Sequence, residues 1–203
     1  MKKEILFILL LGIITFSLKA QYKYPKGIYL SFDELKSMQS SAVLDVYIEE
    51  RTQEDIVMVG GNDYKLTSNN KSVKNSYLRK DVFAYSDGDN LFLNGLRLRL
   101  FSGYIKVLND GDKYFVFRAS VSQDGYNNMY GGIGGAAQAT QRYLYVYDKS
   151  TGIVTPITTE TLKNLLEDNV TFLEEYLSER NKETEEIQLK YLIMLNNVIE
   201  QMK

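Results

Sequence analysis

Between residues 43 and 157 the apolar residues come in short runs or alternate with polar ones, and each run is cut off by Gly, Asp or Asn. That punctuation leaves no room for long helices there and predicts a series of short antiparallel strands. Residues 43–51 and 55–59 read as strands, and Gly60-Gly61-Asn62-Asp63 turns the chain into a further strand at 64–67. A polar loop spans 68–76. Phe83-Ala84-Tyr85 runs through Asp87-Gly88 into Leu91-Phe92-Leu93, and Ile105 to Leu108 runs through Asp110-Gly111 into 114–121. Asp-Gly between apolar segments is a strong hairpin signal, so two hairpins are expected. Their shared Asp-Gly-Asp string, with Phe92 and Phe115 in matching places, is repeated turn chemistry; two copies do not make a repeat architecture. Residues 142–147 form another strand, and Lys149-Ser150-Thr151-Gly152 turns into a short return strand, 153–155, ended by Pro156.

Helical signals flank this region. Ser31-Phe32-Asp33-Glu34 has capping-box spacing, with Leu30 and Leu35 placed to staple across the start of a short helix at 32–38. After Pro156 the period becomes helical. Leu162, Leu165 and Leu166 follow a Thr158 cap, Thr171 and Glu174 make a second capping box, and Ile187, Tyr191, Leu195, Val198 and Met202 mark a closing amphipathic helix from about 182. The expected fold class is α+β: a mainly antiparallel β-sheet or partly open barrel, a short N-terminal helix and a C-terminal helical segment. The predicted organisation is a signal peptide at 1–20, a β-rich domain at 21–158, and a helical segment at 159–203 packed on that domain.

Lys2 and Lys3 precede an apolar run at 5–16, and Ala20 supplies a small residue at the cut. This is the pattern of an export signal, with a mature chain starting at Gln21. The rival reading is a membrane anchor, but twelve mainly apolar residues fall short of the ~20 that span a bilayer. The expected location is therefore the periplasm, the outer membrane surface or the medium, with no transmembrane span after cleavage.

Cysteine and histidine are both absent. That removes disulfides, Ser-His-Asp and Cys-His nucleophile systems, and ordinary zinc sites. It leaves carboxylate chemistry, Ser-Lys or Tyr chemistry and oxygen ligation. Past residue 20 the chain carries 21 basic and 25 acidic residues, a net charge of −4. That balance opposes nucleic-acid binding, which needs clustered Lys and Arg.

Several segments are candidates for chemistry. Residues 131–139 are Gly- and Ala-rich and lack the Gly-Lys-Ser/Thr ending of a phosphate loop, so a tight turn or loop between strands is the expectation. Leu96-Arg97-Leu98-Arg99-Leu100 alternates. As a strand it would set Arg97 and Arg99 on one face, where paired guanidiniums could hold an anion or meet acids of a neighbouring strand. Asp87, Asp89, Asp110 and Asp112 could bind calcium, and they, or Glu49 and Glu50, could serve as a glycosidase pair, but hairpin turns explain the aspartates without either and such acids are usually surface. Tyr126, Asn127, Asn128, Met129 and Tyr130 have the composition of a recognition loop, where Tyr adds contact area at little entropic cost. Tyr126, Asn127, Asn128 and Tyr130, with Arg97 and Arg99, are therefore the candidate ligand-binding residues; no catalytic residue, metal ligand or cofactor is indicated. The expected function is non-catalytic binding of an envelope protein or glycan. The alternatives are a carboxylate-based glycan hydrolase and a periplasmic inhibitor or immunity-type protein.

The Lys19-Ala20-Gln21 junction, the segment from Gly27 to Leu35, residues 131–139 and Tyr147-Asp148-Lys149-Ser150-Thr151-Gly152 before a Leu-rich helix resemble a family of uncharacterised exported proteins of Bacteroidetes-type bacteria. The likeness covers most of the chain past residue 20. It implies export and a one-domain fold, and it brings no activity and no site residues.

Overall fold

The computed structural model describes residues 24–42, 45–120 and 141–201. The signal segment, Tyr126 to Tyr130 and residues 131–139 lie outside the described residues. A nine-stranded antiparallel sheet forms the body. It comprises β1 (Gly27–Tyr29), β2 (Val46–Glu50), β3 (Tyr64–Ser68), β4 (Ala84–Ser86), β5 (Leu91–Asn94), β6 (Tyr104–Asp110), β7 (Tyr114–Ala119), β8 (Tyr143–Asp148) and β9 (Val154–Pro156). The strand order is β1-β4-β5-β6-β7-β8-β9, and the β2-β3 hairpin joins it through the single pairing of Tyr64 with Tyr104. The sheet does not close into a barrel, which settles the fold class as an open sheet. Its edges are protected: Pro156, which has no N–H to offer, sits in the outer strand β9, and β1 meets only a bridge from Ile28 to Ala42.

Both faces of the sheet are covered, so β5 is buried along its whole length and β7 at every position but Arg118, rather than alternating. On one face Tyr29, Leu93, Ile105, Phe115, Phe117, Tyr145 and Tyr147 pack with Leu35 of helix α1 (Phe32–Lys36). On the other face Tyr85, Phe92 and Tyr104 lie with Val46 and Leu66 of the β2-β3 hairpin and Leu78 of α3 (Asn75–Lys80). Further along that second face Tyr114, Val116, Leu144 and Val146 pack with the C-terminal helices α4 (Thr159–Leu166), α5 (Val170–Ser178) and α6 (Glu185–Gln201). Each fully buried Leu, Ile or Phe in these clusters contributes about 1.5–3 kcal/mol.

The Ser31 cap forms as expected, its Oγ accepting from Glu34 N. Glu34 reaches back one residue further than a standard box, accepting from Leu30 N at 2.7 Å and from the Ser41 hydroxyl. Leu35 enters the main core while Leu30 packs with the opposite cluster.

Four expectations change. Residues 55–59 are not a strand but the end of helix α2 (Gln53–Val59), because Thr52 accepts from Asp55 N and starts a helix that outweighs the β-branched run. The polar stretch at 68–76 gives way to α3, which opens at Asn75 rather than remaining a loop. Leu96 to Leu100 is not a strand: Asn94 Oδ1 accepts from Leu96 N and sets a 3-10 turn at Gly95–Leu98, ended by Arg99 at φ 60°. Finally, α5 begins at Val170, capped by Asn169 accepting from Phe172 N, so Thr171 lies inside the helix instead of capping it.

Both hairpins form, with their turns one or two residues beyond the expected centres. Asp87 N–H donates to Asn90 O around Gly88-Asp89, and Gly111 N–H donates to Tyr114 O around Asp112-Lys113. Gly88 takes a left-handed φ of 99°, which favours glycine. Gly111 is there for space instead: a Cβ on it would lie 2.3 Å from Asn196 of α6. In α6 the buried positions are Gln188, Tyr191, Leu192, Leu195 and Asn196, a stripe rotated from the apolar positions alone because two of its members are amides.

Candidate functional site

A cleft of about 410 Å³ opens where α1 lies over the β6-β7 turn. Phe32, Leu35 and Met38 supply its apolar wall, and Tyr24 and Phe115 add aromatic surface. Asp110, Asp112, Lys149 and Ser150 form the polar end. This size and this mixture suit a small organic ligand held by a few convergent polar groups.

Each polar group is placed by turn chemistry. Asp110 closes β6 opposite Phe115, just before the hairpin. Lys149 is the first residue after β8, where Asp148 Oδ1 accepts from Ser150 N at 2.7 Å and Thr151 N at 3.2 Å and so folds the turn. Lys149 N–H donates to Lys113 O, which ties the two turns together. The Lys149 ammonium therefore sits on Asp110 Oδ1 and on Gly111 O at 2.6 Å, with its charge 4.1 Å from the centre of the Phe115 ring. Both members of the pair are mostly buried. Asp110 Oδ2, by contrast, is buried with no hydrogen-bond partner. A buried carboxylate oxygen left unsatisfied costs free energy.

Met38, on the wall of the cleft, has φ 55°. It ends α1 in a Schellman motif, with Met38 N donating to Leu35 O and Gln39 N to Glu34 O at 3.0 Å each. That position normally takes glycine, and an L side chain there costs on the order of 1 kcal/mol. The side chain offsets this by packing on the main core beside the cleft. Asp148 is held below the ordinary aspartate range: partial burial opposes its charge, but the bonds from Ser150 and Thr151 and the nearby Lys113 outweigh that. Tyr147, stacked on Phe115 beneath the cleft, is pushed up by burial and by the neighbouring Asp148 and Asp33.

The residues singled out from sequence fall elsewhere. Arg97 and Arg99 are exposed on the 3-10 turn and just past it, so they do not share a strand face. Tyr126, Asn127, Asn128 and Tyr130 lie outside the described residues. Of the four hairpin acids, Asp87 is absorbed by its own turn, accepting from Asp89 N and Asn90 N at 2.7 Å, while Asp110 and Asp112 reach the cleft. In the sequence Lys149 reads only as a turn residue. Its partner is 39 positions away, and no local pattern links the two.

The described fold defines an open antiparallel sheet, covered on one face by a hairpin and three C-terminal helices, with a cleft under the first helix. The chain belongs to a family of unknown function, DUF6563, whose model matches residues 27–199. No curated protein and no solved structure matches it. Among the described residues no helix is long and apolar enough to cross a membrane.

Proposed function

We propose that this is an exported, non-catalytic binding protein whose cleft receives part of a glycan. The observation that carries this reading is the buried, unpartnered Asp110 Oδ2 at the polar end of a cleft walled by Tyr24, Phe32 and Phe115. Sugars present apolar C–H faces to aromatic rings and O–H donors to carboxylates, so both halves of the cleft suit them. Asp110 is paired with Lys149, which fixes the position of its carboxyl group in the cleft. The Lys2-Lys3 start, the apolar run at 5–16 and Ala20 support export to the periplasm, the outer membrane surface or the medium.

A protein partner is the second reading, favoured by Val57, Met58 and Val59, which stand 46%, 85% and 77% exposed in a row on α2. Glycan microarray binding followed by saturation-transfer NMR tests the first reading. Saturable binding that Asp110→Asn weakens, without release of a cleaved product, supports it; no binding by folded protein overturns it, and product release would move the reading to a hydrolase. N-terminal sequencing of protein recovered from outside the cytoplasm should begin at Gln21, and a retained Met1 would defeat the export part.

A further inference from the structure

A second cavity of about 340 Å³ lies on the other side of the sheet, where α3 and the β2-β3 hairpin meet the start of β6. Its cationic lining residues are Arg51, Lys65 and Arg79, and among the described residues that line it none is acidic. The charge of Arg51 is fixed in place but not cancelled. Its guanidinium donates to the carbonyls of Gly60 at 2.8 Å, Asn62 at 3.0 Å and Asp55 at 3.1 Å, and it makes no ion pair with a described carboxylate. Lys65 faces Glu49 in the strand register, yet Glu49 Oε2 accepts from the Thr67 hydroxyl and forms no ion pair with Lys65. Two acids flank Tyr64: Asp63 is bound by Arg142, and Glu50, opposite Tyr64 in the register, is an exposed acid that does not line the cavity. The backbone that carries Arg79 is anchored, because Asn94 Nδ2 donates to Arg79 O at 2.9 Å.

From this juxtaposition we infer that the cavity bounded by Arg51, Lys65 and Arg79 is a binding site for an oxyanion, either a carboxylate or a sulfate or phosphate ester. A prepositioned guanidinium with two further cations around a partly enclosed space is the arrangement that oxyanions select. Asn75 and Tyr64, which also line it, add polar contacts for the remainder of the ligand. The inference stands apart from the glycan cleft, with which the cavity shares no lining residue.

The test is an NMR titration of the full chain with sodium sulfate, phosphate and glucuronate at ionic strength fixed with sodium chloride. The expected result is a saturable one-to-one shift of residues around β3 and α3 for at least one of the three. The K65Q/R79Q variant should weaken it at least tenfold. Both substituted side chains are exposed, so the variant's spectrum should remain that of the folded protein. Glucuronate ahead of the others identifies a sugar carboxylate as the source; sulfate or phosphate ahead identifies an ester. A response no larger than that to chloride, or equal binding by the double variant, overturns the site.

Discussion

The backbone N–H of Ser120 donates to Asn62 Oδ1 at 2.9 Å, a bond that joins the end of β7 to the turn before β3 across 58 residues of chain. The Asn62 side chain is buried and fully used: Nδ2 donates to Phe101 O at 2.7 Å. One residue on, Asp63 takes the guanidinium of Arg142, just before β8. Asn62 and Asp63 thus fasten the end of β7, the start of β8 and the loop before β6. Asn62→Ala should cost about 1–3 kcal/mol, because the Ser120 N–H stays buried without a partner while the half-buried Phe101 carbonyl loses its donor. Urea unfolding measures this, and a loss under 1 kcal/mol would mean that water replaces the amide.

The Lys149-Asp110 pair makes a sharper prediction because it is mostly buried. Lys149→Met leaves Asp110 charged and unpaired and should destabilise the protein by about 3–5 kcal/mol. Adding Asp110→Asn should recover more than half of that loss. Equal losses in the single and double variants would show that Lys149 acts through packing on Phe115 alone.

Gly111→Ala tests close approach rather than backbone freedom. The new Cβ would stand 2.3 Å from both Cβ and Cγ of Asn196, so the turn and α6 must part, at about 1–3 kcal/mol. Asn196→Ala should not rescue it, because the colliding Cβ remains. Faster hydrogen exchange confined to α6 would report the parting, and rescue by Asn196→Ala would refute this account.

Much of the fold was legible in residue order. The two Asp-Gly hairpins, the Ser31 cap and the shift to helical period after Pro156 are local signals, and each led to the right element. Residues 55–59 misled because a β-branched run carries no information about the Thr52 cap, four residues before Ile56, that turns it into a helix. Leu96 to Leu100 misled because alternation is also compatible with a tight turn when Asn94 caps it. The cleft was legible only as parts. Asp110 was visible as a hairpin acid, but its meeting with Lys149 depends on strand order, and the buried amides Gln188 and Asn196 were invisible to any hydrophobic pattern.

Met38→Gly separates stability from cleft shape. Glycine removes the left-handed strain, worth on the order of 1 kcal/mol, but also the side chain that packs on the core. The two effects oppose, so the unfolding midpoint should move little while the apolar wall of the cleft is lost and any saccharide bound there weakens. A stability gain without loss of binding would show that the methionine contributes nothing to the cleft.

Acid stability supplies the last test. Asp87 is held below the ordinary aspartate range: partial burial pushes its pKa up, but bonds from Asn90 and Asp89 and the charge of Lys106 more than offset this. Asp148 is lowered in the same sense by Ser150, Thr151 and Lys113. A carboxyl whose folded pKa is depressed stabilises the fold above its unfolded pKa, and that contribution disappears as pH falls through the folded value. The protein should therefore lose stability below about pH 4, the ordinary aspartate value. Asp87→Asn and Asp148→Asn keep the turn-forming Oδ1 acceptor yet cannot titrate, so the double variant should show a flatter acid limb in urea midpoints measured between pH 2 and pH 6. An unchanged slope would mean that these two turns do not set the acid limit of the fold.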